Sequence, residues 1–352
     1  MVEWKKLGEV CEILRGKRLT KSQLNETEGY PVLHGGSTPM GYYSDYNRKA
    51  NTTVVVNTGN AGSVFFYDKE FWSSDACFSL YPNKGIIDKY LYLYVYGCEK
   101  ILKGKIRAGA MPTIDANTVA SLIIPIPSLE EQERIVGILD TFTASIDNIK
   151  AQIEQRRKQY EHYRNTLLTF NKDDDSVEWK TLGEVGDISA GGDVPRNTIK
   201  ETNPIENYCF PVYSNGKENN SLYGYSTSYS IAKQAVTISA RGTIGWHCVR
   251  EAYFTPIIRL ITVIPDEKLL SAKYLDYALY VTRIGGDNGG IPQLTVPSIK
   301  NCEIPLPSLQ EQQRIVSILD TFEASIANLE AQLEQRQKQY EYYREELLTI
   351  LS

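Results

Sequence analysis

A chain of 352 residues, 42% hydrophobic and 11% aromatic, carries enough apolar material for two or three cores, which excludes a disordered or fibrous protein. It holds no run of about 18 apolar residues and opens Met1-Val-Glu-Trp-Lys5 without a signal-peptide pattern, so a cytoplasmic chain without a membrane span is predicted. The formal net charge of −5 speaks against a uniformly basic nucleic-acid-binding surface, but it averages segments of different character.

Residues 1–127 carry 15 Lys and Arg against 12 Asp and Glu, 128–170 carry 6 against 7, 171–307 carry 13 against 16, and 308–352 carry 4 against 8. Four acids of the third segment, Asp173, Asp174, Asp175 and Glu178, lie in a connector at 171–178, so the acidity sits mainly in a linker and two helices. Cys11, Cys77, Cys98, Cys209, Cys248 and Cys302 stand singly, with no CxxC pair, and read as reduced structural thiols. His34, His162 and His247 have no metal-ligand spacing, and no metal site is predicted.

Taken in order, the chain is two copies of one unit. Glu3-Trp-Lys-Lys-Leu-Gly-Glu-Val10 returns as Glu178-Trp-Lys-Thr-Leu-Gly-Glu-Val185 at an offset of 175, while Pro31-Val32 and Pro211-Val212 stand 180 apart. Thr52-Thr-Val-Val-Val56, Ser63-Val-Phe-Phe-Tyr67, Ala235-Val-Thr-Ile-Ser239 and Ile257-Ile-Arg-Leu-Ile-Thr-Val-Ile264 read as strands, because each is a β-branched or aromatic run between Gly and Asn turns. Short helices are predicted over Ile87–Val95 and Ser271–Leu279. The globular segments 1–127 and 171–307 are therefore predicted to be strand-rich α+β domains.

A long helix follows each of them, at 128–170 and 308–352. Ser128-Leu-Glu-Glu131 and Ser308-Leu-Gln-Glu311 read as capping boxes, each just after a Pro-x-Pro that cannot be helical. From there Ile135, Leu139, Phe142, Ile146, Ile149, Ile153, Arg156, Tyr160, Tyr163 and Leu167 alternate by 4 and 3. The second helix repeats this with Ile315, Leu319, Phe322, Ile326, Leu329, Leu333, Arg336, Tyr340, Tyr343 and Leu347. A period of about 3.5 is a coiled-coil seam. At about 1.5 Å per residue each helix reaches roughly 60 Å, too long to hide in its own domain. Two antiparallel coiled-coil helices with a domain at each end are predicted, and the repeat then becomes a pseudo-two-fold axis. Arg156 and Arg336 interrupt the seam at equivalent positions, either as a register-setting polar layer or with stems that snorkel outward. The helices are nearly identical between copies, whereas 11–120 and 186–300 have diverged. Domains that read different things would drift in this way; neutral drift between helices restrained by packing is the alternative.

No GxxxxGK[ST], HExxH, GxSxG or GxGxxG pattern is present, and no catalytic residue is predicted. What distinguishes the chain is a set of glycine-rich polar loops recurring in both copies. His34, Gly35, Gly36, Ser37 and Thr38 face Ser214, Asn215 and Lys217; Gly59, Asn60 and Gly62 face Gly242-Thr243-Ile-Gly245, with Arg241 beside them; the stretch around Arg107 faces Asn288, Gly289 and Gly290. Such loops expose backbone amides and short polar side chains, which suits phosphate contact and base-edge reading. Lys103, Lys105 and Arg107 join them as candidate DNA-binding residues, with Lys17, Arg18, Arg48, Lys49, Arg196, Lys233 and Arg283 nearby. Tyr42, Tyr43, Tyr46, Tyr223, Tyr225 and Tyr229 either contact nucleic acid or pack the first loop onto its sheet.

Two copies of Pro-x-Pro-Ser-Leu-x-Glu-Gln-x-Arg-Ile-Val (125–136 and 305–316), the Trp-Lys-x-Leu-Gly-Glu-Val openings, Arg241-Gly-Thr-Ile-Gly245 and the long helices resemble the DNA specificity subunits of type I restriction–modification systems over essentially the whole chain. The resemblance implies two target-recognition domains, each reading half of a split, asymmetric site on double-stranded DNA. It implies helices that space the domains and dock two methyltransferase subunits, with restriction subunits joining the full complex. It implies no cofactor in this chain, S-adenosylmethionine being held by the methyltransferase. Two readers on one face of a duplex would sit about 34 Å apart, one helical turn. A scaffold spacing two protein- or glycan-binding domains, and an enzyme concealed in a strand-rich fold, are the other readings.

Overall fold

The computed structural model describes residues 2–36, 38–107, 109, 111–172, 177–282, 284 and 293–349, without the side chains of Asn219 and Thr349. They gather into two compact units, Met1–Ala151 with Ala331–Ser352, and Gln152–Glu330.

In the first unit the opening repeat forms a strand, Glu3–Lys6, antiparallel to Ile123–Ile126, with Trp4 opposite Pro125. A four-stranded antiparallel sheet follows in the order Cys11–Arg15, Cys77–Pro82, Thr52–Val56, Val64–Tyr67. The run Thr52–Val56 is buried at every position, as an inner strand covered on both faces must be. A second small sheet orders Tyr42–Tyr43, Tyr30–Leu33 and Trp72–Ser73, the last pair parallel.

The second unit repeats the plan. Glu178–Thr181 pairs with Glu303–Leu306, and the four-stranded sheet runs Gly186–Ala190, Ile261–Pro265, Ala235–Ile238, His247–Arg250. Its small sheet orders Thr198–Ile199, Leu222–Ser226, Phe210–Tyr213 and Thr255–Pro256. Its edge strand Thr198–Ile199, with Ile199 opposite Tyr225, corresponds to the single antiparallel bridge Asn25–Tyr42 of the first unit.

The two short helices form as Asp88–Gly97 and Ala272–Val281. Leu91 and Val95 of the first turn into the sheet core, while Tyr90 and Leu93 turn to the long-helix residues Ile135, Leu139 and Leu348. One strand expectation fails. Ile257–Ile264 is not continuous: Thr255–Pro256 and Ile261–Pro265 are separated by a turn in which Ile258 (φ 51°) and Arg259 (φ 62°) are both left-handed.

The long helices span Leu129–Leu168 and Leu309–Thr349. Half of each predicted capping box is made, the Glu131 and Glu311 amides each donating to the Ser128 or Ser308 hydroxyl at 3.3 Å. The glutamates do not reach back. Glu131 takes two nitrogens of Arg134 at 2.7 and 2.6 Å, and Glu311 pairs likewise with Arg314, because a bidentate charge-assisted pair outcompetes one amide. The arginines hold both carboxyls below their ordinary range. The start is locked instead by the glutamine one residue on. Fully buried Gln132 accepts from the Ile87 amide at 2.9 Å and donates to the Gly85 and Pro127 carbonyls. Gln312 does the same with Ser271, Leu269 and Pro307. Tyr90 and Tyr274 complete the junction, each donating at 3.0 Å to the carbonyl of the first proline of the repeated motif, Pro125 or Pro305. Gln132→Ala or Gln312→Ala is expected to lower stability by roughly 3 kcal/mol, since buried amide and carbonyl groups lose their partners. Thermal unfolding checks this against Glu133→Ala, a surface change expected to shift stability by under about 0.5 kcal/mol.

Within each unit two helix stretches run antiparallel. Phe142 stacks on Tyr343 in the first unit, and Phe322 stacks on Tyr163 in the second, both with ring centroids 5.2 Å apart and 29° between planes. Arg336 lies over Phe142 at 5.6 Å and Arg156 over Phe322 at 5.8 Å. The seam arginines thus take a third course, a cation–π contact with the phenylalanine of the opposite stretch. Ile135, Leu139, Ile146, Ile149, Ile153, Ile315 and Leu319 are buried, while Phe142, Phe322, Ile326, Leu329 and Leu333 are half-buried. Leu168 and Leu348, at equivalent helix ends, enter the two cores.

Among the described residues no helix is long and apolar enough to cross a membrane. Cys11, Cys77 and Cys98 are buried, and burial pushes the Cys98 thiol up to about 11 and the Cys11 thiol to about 12.

Candidate nucleic-acid interface

In the first unit three sequence-distant loops are brought together. Residues 34–36 leave the strand Tyr30–Leu33, 57–63 is the hairpin between Thr52–Val56 and Val64–Tyr67, and 111–113 precede Ile114 of the core. The Asn60 amide donates to the Gly35 carbonyl at 3.0 Å, and the Gly59 amide to the Pro112 carbonyl at 3.3 Å. Gly35 is left-handed at φ 57°, and a Cβ there would stand 2.4 Å from the Thr58 carbonyl oxygen, so only glycine fits between the loops. His34, Gly36, Thr38, Gly59 and Asn60 are exposed on this cluster, whereas Gly62 is buried against Leu102 and Lys103. His34 shares a hydrogen bond of 2.9 Å with Ser74.

The cations differ in how far they are committed. Arg107 pairs with Asp115 at 2.6 Å, and Asp115 also caps the helix Ala116–Ala120. Hydrogen bonds from Thr118, and then the charge of Arg107, hold that carboxyl below its ordinary range. Lys103 pairs with Glu99 at 2.6 Å, whose other oxygen accepts from the Val64 amide. Arg48 points inward to Ser79 and the carbonyl of Arg15 and belongs to the scaffold. Lys105, Lys17, Arg18 and Lys49 are exposed, with no side-chain partner among the described residues.

The second unit builds the equivalent cluster from different side chains. Half-buried Asn215 accepts from the Ala240 amide at 2.8 Å and donates to the Ile258 carbonyl at 2.7 Å. Ser239 bonds Thr243 at 3.0 Å, the Leu294 amide donates to the Ala240 carbonyl, and Arg241 donates to Gln293 at 3.0 Å. Lys217, Arg241 and Gly242 are exposed, with Ser214 half-buried beside them. Arg250, like Arg48, is scaffold, donating to Ser221 and Thr237 over the Tyr213 ring. Arg196 and Lys233 are exposed. Ser37, Arg283, Asn288, Gly289 and Gly290 lie outside the described residues.

The tyrosines mostly pack on the chain itself. Tyr43 meets Trp72 edge-on at 4.9 Å, Tyr46 lies 4.9 Å from Tyr30, and Tyr229 sits 4.9 Å from both Phe210 and Tyr253. Tyr223 lies under Lys200, and Tyr42 and Tyr225 are half-buried in their strands. The structural roles of Gln132 and Gln312 were open to sequence reasoning, since both lie inside the repeated Ser-Leu-x-Glu-Gln motif.

Two strand-rich domains of one topology, each with a cluster of polar loops and each followed by a long helix, define a duplicated recognition protein. Residues 1–156 and 175–337 match the family described as the type I restriction modification DNA specificity domain. The chain belongs to that family, and as a specificity subunit it is a non-catalytic DNA-recognition component of its system. A Mycoplasma pneumoniae protein named as a type I specificity subunit is 30% identical over 354 residues, covering 97% of this chain and 96% of its own. A type I restriction enzyme specificity subunit of Escherichia coli is 30% identical over 389 residues, covering 99% and 94%. The fold is shared with the S subunit of a type I system from M. genitalium, at a TM-score of 0.68 and 18% identity over 99% of this chain and 96% of that one.

Proposed function

We propose that the domains 1–127 and 171–307 each read one half of a bipartite, asymmetric site on double-stranded DNA. The observation that carries this reading is the recurrence, among the described residues, of one loop cluster at equivalent places on a duplicated frame, held by Asn60 and Gly35 in one copy and by Asn215 in the other. Different side chains on one frame are what two readers of different half-sites require. The exposed amides and short polar groups suit base edges, and the uncommitted Lys105 and Lys217 suit phosphates.

Under the same reading the helices 128–170 and 308–352 set the unread gap and dock two methyltransferase subunits, through which restriction subunits join. S-adenosylmethionine belongs to the methyltransferase, and this chain carries no cofactor. The test is duplex binding by the purified complex of this chain with its methyltransferase. Affinity is expected to fall steeply with salt, and Lys105→Glu or Arg241→Glu to weaken it about tenfold or more. Binding indifferent to salt and to both variants would favour a scaffold that spaces protein- or glycan-binding domains.

A further inference from the structure

The turn that breaks the expected strand 257–264 holds two consecutive non-glycine residues in the left-handed region, Ile258 at φ 51° and Arg259 at φ 62°. A β-branched residue rarely adopts that conformation, and strain of this kind persists only where the surroundings impose it. Here they do. The Ile258 amide donates to the Gly192 carbonyl at 2.8 Å, the Arg259 amide to the Gly191 carbonyl at 3.1 Å, and Asn215 donates to the Ile258 carbonyl at 2.7 Å. The close approach needs a glycine at 191, where a Cβ would stand 2.7 Å from the Ile257 nitrogen.

Ile257 and Leu260 on either side of the turn are buried, but the two strained residues are not. Ile258 is 46% exposed and Arg259 is exposed as well, with no hydrogen-bond or ion-pair partner for its side chain among the described residues. Asn215 ties this turn to the loop of Ala240 and Arg241, so the turn stands in the loop cluster of the second unit. Arg241 is engaged by Gln293 and Arg250 by the scaffold, whereas Arg259, like the exposed Arg196, is uncommitted among the described residues.

We infer that the Ile258–Arg259 turn is a DNA-contacting element of the second domain, with Arg259 binding the duplex and Ile258 presented beside it as an apolar contact. The inference rests on the proposed reading of the loop clusters. A free guanidinium held out on a rigid, strained turn is suited to bidentate acceptors, which in a duplex are phosphate oxygens or the guanine O6 and N7 edge.

The experiment measures duplex affinity across a salt series for the complex of the full chain with its methyltransferase, comparing the parent with Arg259→Ala, Arg259→Lys and Lys268→Ala. Lys268 follows the Pro265 end of the strand Ile261–Pro265, whereas the turn precedes its Ile261 end, so Lys268 serves as an exposed control. Arg259→Ala is expected to fold with an unchanged melting temperature, to lose about tenfold or more in affinity, and to reduce the salt slope by about one. Arg259→Lys recovers most of the affinity if the partner is phosphate, and stays weak with one half-site letter relaxed if it is a base edge. Affinity and slope unchanged in Arg259→Ala, with the parent still binding in a salt-dependent and sequence-specific manner, would overturn the inference and leave the broader reading standing. A parent complex without such binding would overturn both.

Discussion

Exchange of residues 11–120 for the corresponding stretch of another family member is expected to change one half of the recognised DNA sequence and leave the other intact. The loops of the first cluster bond to one another, Asn60 to Gly35 and Gly59 to Pro112, and the exchanged stretch meets the long-helix junction through the Gly85 and Ile87 backbone and through Tyr90, whose equivalent Tyr274 makes the same bond in the second unit. The original site should then bind no better than random duplex, a loss of about 1,000-fold or more. Methylation-site mapping of the hybrid reads this directly. A change in both halves would contradict independent readers.

The second large effect concerns the gap. Four residues inserted into both long helices, after Ala151 and after Glu330 where one compact unit gives way to the other, are expected to lengthen the unread gap and keep both half-sites. Each insertion adds about 6 Å of helix, close to two base pairs at about 3.4 Å each. The pairs Phe142–Tyr343 and Tyr163–Phe322 lie to either side of the insertions and stay within their own units. New half-site letters with an unchanged gap would show that the helices do not measure the site.

How much of this was legible in the sequence depended on whether the deciding force was local. Helix starts follow from Ser128 and Ser308 behind Pro-x-Pro, the seam from its 4 and 3 spacing, and the inner strand from the run Thr52–Val56, all set by residues close in sequence. The duplication carried the rest of the frame. What escaped was set by groups far apart in the chain. Arg107 reads as a free cation but is taken by Asp115, and Arg48 reads as surface but is drawn inward by Ser79 and the Arg15 carbonyl. Glu131 has the spacing of a reciprocal cap but prefers Arg134. The clearest failure is the expected strand through Ile258 and Arg259, where the β-branched run is overridden by amide bonds to the Gly191 and Gly192 carbonyls and by a bond from Asn215. Local rules fail most often where a structure is held for function, which makes this miss informative.

The candidate site was legible as a set of loops and not as a surface. Glycine-rich stretches announce turns, but whether 34–36, 57–63 and 111–113 come together depends on the sheet that joins them. Gly62 illustrates the limit, reading as loop glycine while lying buried beneath Lys103.

The most direct test of the central claim is methylation mapping of genomic DNA from a host expressing this chain with its methyltransferase, set against a host expressing the methyltransferase alone. A split, asymmetric motif modified only when this chain is present is the expected result. An active methyltransferase whose modified sites are the same with and without the chain would contradict it.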